Sequence, residues 1–73
     1  MRRFQARDGA LWDVTVGRES WGKLLLLFAP RAGGGVRQSV LPHQTVLAAE
    51  RALAGMSGEE LREHLDRALP WSG

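Results

Sequence analysis

The side chains able to do chemistry are few. His43 and His64 are the only imidazoles among 73 residues, and there is no cysteine. A zinc-type centre draws His, Cys and carboxylate ligands at short, regular spacing. Neither histidine belongs to a His-x-x-x-His or Glu-x-x-His pair, so no metal site is expected, and the absence of thiols removes disulfide and thiolate chemistry. Ser20, Ser39, Ser57 and Ser72 offer hydroxyls, but none stands in a nucleophile elbow. Gly33-Gly34-Gly35 invites comparison with a phosphate-cradling loop. Such a loop needs spaced glycines and a helix after it, whereas a strand-like run, Val36 to Leu41, follows here. These residues point to no catalytic group, no cofactor and no small-molecule ligand, and therefore to a non-enzymatic protein.

The remaining reactive groups are charges, and they are unevenly spread. Residues 1–37 hold seven basic and three acidic side chains, and residues 38–73 hold three basic and five acidic, for a net charge of +2. Arginine supplies nine of the ten basic residues, a bias that suits a GC-rich genome or a warm habitat. Met1-Arg2-Arg3-Phe4 has the charge of a signal-peptide start, but Gln5, Arg7 and Asp8 occupy the place of the apolar core such a peptide needs. No run is long enough to span a bilayer. The expectation is a bacterial cytoplasmic protein with no membrane partner.

The elements that position these groups follow from periodicity. Leu24-Leu25-Leu26-Leu27-Phe28 is continuously apolar, as a strand in the middle of a sheet must be. Residues 3–7 and 11–16 alternate on either side of Asp8-Gly9, a dipeptide that tolerates the positive φ of a hairpin turn. The central strand covers about residues 23–29, and 36–41 supplies a fourth. Pro42 ends this phase, since it donates no ladder hydrogen bond. Val46, Ala49, Leu53 and Met56 then fall on one helical stripe, predicting a helix over about 45–54 that Gly55 closes in the left-handed conformation. Ser57-Gly58-Glu59-Glu60 forms a capping box for a second helix over about 58–69, with Leu61, His64, Leu65, Ala68 and Leu69 inward. The prediction is one α+β domain over residues 1–73: a four-stranded antiparallel meander followed by two helices packed on one face. A helix-turn-helix reading of the two helices fails on charge, because Glu59, Glu60, Glu63 and Asp66 would face phosphate.

Asp8-Gly9 with Trp12 and Val14, Leu26 and Phe28 in the core strand, Arg37, and the Ser57, Glu60, Leu61, Leu65, Ala68 helix resemble a group of small uncharacterised bacterial proteins. Gln38 stands where that group would have a second arginine. The group has no function assigned, so the resemblance implies an α+β fold and nothing about activity.

One helix layer leaves one sheet face bare. If Phe4, Val14, Leu26 and Phe28 face the helices, alternation sends Arg3, Arg7, Thr15, Leu25, Leu27 and Arg37 to the other side. Two leucines in a basic frame form an apolar patch of the kind that marks a partner, and burying each contributes about 2 kcal/mol. The expected partner is a second copy, as a homodimer, or another protein. The alternative is nucleic acid, with the arginines on phosphate and Trp21 or Trp71 stacked on bases.

Overall fold

The fold described here is a computed structural model, and it describes residues 1–19 and 22–71. The stacking role assigned to Trp21, and the hydroxyls of Ser20 and Ser72, therefore lie outside the described residues. Five strands form one antiparallel sheet in sequence order: β1 (Arg2–Gln5), β2 (Leu11–Arg18), β3 (Leu24–Pro30), β4 (Arg37–Val40) and β5 (Leu69–Pro70). Between β4 and β5 come two helices, α1 (Val46–Gly55) and α2 (Gly58–Arg67). The architecture is mixed α+β, a meander followed by two helices, with one short strand more than the sequence predicts.

Asp8-Gly9 makes the first turn. The Gly9 N–H donates to Ala6 O at 3.0 Å, Gly9 sits at φ +90°, and the Asp8 carboxylate accepts the Ala10 N–H at 3.0 Å. That left-handed backbone is strained for any residue with a Cβ. Cross-strand register then places Phe4, Val14, Leu24, Leu26 and Phe28 on one face, where they pack with Leu41, Ala49, Leu53, Leu61 and Leu65 in a single core. Phe4 and Phe28 meet edge to face, their ring centroids 5.8 Å apart.

The helices begin as the sequence predicts and end differently. Thr45 caps α1 by accepting the Ala48 N–H at 3.1 Å. Ser57 and Glu60 close the reciprocal capping box, at 3.1 and 3.2 Å. Ser57→Ala should therefore lower stability by about 1 kcal/mol, read as the shift of a urea unfolding midpoint at unchanged slope. Gly55 does not end α1 in the left-handed conformation. It stays in the last turn, and Met56 caps the helix in extended backbone at φ −71°, ψ 137°. The orphan carbonyls there are met from β1, since the Arg2 guanidinium donates to Leu53 O at 2.9 Å and also to Met56 O. A cation at that end also complements the helix dipole.

α2 stops at Arg67, two residues before the predicted Leu69, where the Ala68 N–H turns back to Leu65 O. Leu69 and Pro70 instead pair with Gln38 and Arg37 at the sheet edge, and the Trp71 N–H reaches Val36 O at 2.9 Å. Alternation aims the nitrogen of Pro70 away from β4, so its missing N–H costs the sheet no bond.

Candidate functional site

Both helices pack on the Phe4, Val14, Leu26 and Phe28 side of the sheet. The other side is built in rows fixed by register. One row crosses the sheet as Thr15, Leu27, Gln38 and Leu69, the next as Gly17, Leu25 and Val40, and a third as Arg3, Asp13 and Ala29. Cross-strand partners share a face, so on the bare side the charged groups gather over β1 and β2, where Leu11 is also exposed, and β3 to β5 carry Leu25, Leu27, Val40 and Leu69 around Gln38.

Of the six residues that the sequence places here, Arg3, Thr15 and Leu27 lie on the bare face and three require correction. Leu25 is on that face but only 1% exposed. Its neighbour in register is Gly17, where an added Cβ would fall 2.5 Å from Leu27 Cδ1. The Leu27 side chain thus leans across the space that glycine leaves, alongside Leu25. Leu25 forms a floor of the face and is not a contact group. Arg37 stands opposite Phe28, which puts it on the helix side, where its guanidinium carbon lies 6.0 Å from the centre of the Trp12 ring. Arg7 lies beyond the end of β1 and is held by α2, at 2.9 Å from Asp66 and 3.0 Å from Glu59. The hydrogen bonds that it donates to Asp66 and Glu59 raise its already high pKa further.

The exposed apolar groups of this face are different ones: Val40 at 56% and Leu69 at 66% exposure, with Leu11 at 47% at the far end of β2. Alternation carried through Trp71, itself partly exposed, places its indole on the same side. Leu69 escapes sequence reading because it follows Leu65 by four residues, and the helical stripe claims it. Val40 escapes because nothing in the sequence fixes which of Val40 and Leu41 points inward.

The charged groups of this side are internally compensated. Asp13 receives Arg3 Nε at 3.2 Å and Arg31 Nη1 at 3.4 Å. Its partial burial pushes the carboxyl pKa up, but the two guanidiniums outweigh this and hold it below the usual carboxylate range.

Neither histidine assembles a reactive centre. Among the described residues no group of three or more His, Cys, Asp or Glu side chains could hold a metal ion. His43 lines an open depression of about 400 Å³ with Lys23, Val40, Leu41 and Gln44. His64 shares a 3.1 Å hydrogen bond, through Nδ1, with Ser39 Oγ, a bridge from α2 to β4 on the helix side. Burial lowers the His64 pKa and Arg67 lowers it further, against weaker pulls from Glu60 and Glu63. With its unfolded value near 6.5, the unfolded chain binds more protons below that pH, so stability present above about pH 6.5 is lost as pH falls through the folded pKa. His64→Gln should flatten the decline in urea midpoint between about pH 7 and pH 5; an unchanged slope would assign it to other groups.

The chain matches no family model, no curated protein and no solved structure. Among the described residues no helix is long and apolar enough to cross a membrane.

Proposed function

We propose that the chain is a small non-enzymatic contact module of the cytoplasm that associates with a second copy of itself through the bare sheet face. The observation that carries this reading is the pair Val40 and Leu69, each more than half exposed, with Leu69 at the end of the Leu27 and Gln38 row and Val40 in the row beside it, on a face without helices. Five strands of 4, 8, 7, 4 and 2 residues, about 4.8 Å apart, present roughly 400 Å² to a partner. Two copies would cover at most about 800 Å², below the size of a standard specific interface, so the association proposed is weak. Sheets stack face to face about 10 Å apart, and the result is a four-layer sandwich with helices outside.

The charge arrangement argues against nucleic acid as the occupant. Arg3 and Arg31 already hold Asp13, and Arg7 holds Asp66 and Glu59, so phosphate would have to displace a carboxylate at each. Sedimentation velocity at low and high micromolar concentration tests the proposal. The expected result is a concentration-dependent dimer insensitive to moderate salt. A monomer at both concentrations overturns it, as does steeply salt-dependent binding to single-stranded nucleic acid without self-association.

A further inference from the structure

The two edges of the sheet, β1 and β5, meet their surroundings differently, and an uncovered edge strand is a template on which another extended chain can pair. At the β5 edge the strand is two residues long, and Pro70 has no N–H to turn outward. Its carbonyl accepts from the Gln38 side chain at 3.4 Å. β1 contains no proline, and its hairpin fixes which backbone groups face out. The Ala6 N–H donates to Ala10 O at 2.8 Å and Ala6 O accepts from Gly9, so Ala6 turns both groups toward β2. Antiparallel ladders alternate. Phe4 and Arg2 therefore point inward with Ala6, while Arg3 and Gln5 aim their N–H and C=O groups away from the sheet.

One of those outward groups is taken by α2: Arg62 Nε donates to Gln5 O at 2.8 Å. The guanidinium is anchored from its own helix by Glu59, 3.5 Å from Nη1, and Glu59 is in turn held by Arg7 at 3.0 Å, just beyond β1. Among the described residues no hydrogen bond reaches the Arg3 N–H, the Arg3 carbonyl or the Gln5 N–H. A strand entering at this edge would donate to Gln5 O, where it meets the guanidinium instead. Two β1 strands paired antiparallel about Phe4 would exchange bonds between Arg3 of one and Gln5 of the other, and with Arg62 in place each Arg3 N–H loses its acceptor. We propose that Arg62 is an autoinhibitory plug: it closes the β1 edge against strand addition, and a chain without it pairs edge to edge through β1. This contact concerns the edge and not the bare face, so it does not depend on the association proposed above.

Arg62→Ala removes the plug, and Arg62→Met removes every donor while keeping the apolar stem. At high micromolar concentration, sedimentation velocity of either variant should show a species of about twice the parental mass, as a two-fold pairing requires. Exchange of the Arg3 and Gln5 amide hydrogens, which face solvent in the parent, should slow roughly ten-fold in the variants as concentration rises. Adding Gln5→Pro deletes an outward N–H without removing a bond of the sheet, and it should restore the parental mass and fast exchange at Arg3. Aggregation of an unfolded variant would show no such reversal. The proposal is overturned if both variants keep the parental mass with those amides still fast, if a larger species forms without protection there, or if Gln5→Pro fails to reverse it.

Discussion

Phe28→Ala should lower the thermal midpoint by on the order of 20 °C, while Leu27→Ala, one residue away, lowers it by only a few degrees. Phe28 is fully buried, lies opposite Val14 and Arg37 in register, and packs its ring against Phe4. Truncation removes the transfer free energy of the ring and leaves a cavity that rigid sheet neighbours cannot close, a cost of about 3 to 5 kcal/mol. A domain of this size has a total stability of only about 4 to 10 kcal/mol, so the variant would stand near the edge of folding. Leu27 has the same hydrophobic character but belongs to the bare face and is only partly covered. Its truncation sacrifices contacts against Gly17 and little else. Far-UV circular dichroism melts of both variants decide the matter. Equal losses at the two positions would mean that the sheet is covered on both sides, contrary to the face assignment from which the contact surface follows.

Local signals made most of the fold legible. Asp8-Gly9 dictates a turn, the change of period after Pro42 separates strands from helices, and Ser57 with Glu60 states where α2 begins. Each signal acts over a few residues, so no knowledge of distant partners is needed. The contact face was less legible because its composition depends on parity carried across loops. The three glycines before β4 can turn the chain either way, and a shift of one residue exchanges every side chain between faces. Arg37 lies on the helix side for that reason, as does Ser39, while Gln38 and Val40 face out. Arg7 was claimed by two carboxylates more than fifty positions away in sequence, and Arg2 by the carbonyls at the end of α1. Long arginine side chains reach across elements, and spacing says nothing about where they arrive. Leu25 illustrates a third limit: alternation places it on the right face but says nothing of how deeply it is covered.

Val40→Glu combined with Leu69→Glu should abolish self-association while leaving the fold intact. Both side chains are more than half exposed, and surface substitutions away from special features change stability by about 0.5 kcal/mol or less. Leu25→Glu would not serve the same purpose, because a carboxylate forced into a 1% exposed site would unfold the chain whether or not it associates. In a two-fold interface each substitution counts twice. Withdrawing about 1 kcal/mol of further apolar burial at each of four positions removes about 4 kcal/mol, near a thousandfold in Kd. Four carboxylates brought into one dry layer would add repulsion to that loss. A dimer that forms in the micromolar range is thereby moved beyond reach of sedimentation, while its circular dichroism spectrum and melting midpoint stay close to the parent's. If the doubly substituted chain still dimerises with parental affinity, the copies meet through another surface, such as the Val46 and Leu47 flank of α1, both also exposed. The bare sheet face would then have no claim to the interface.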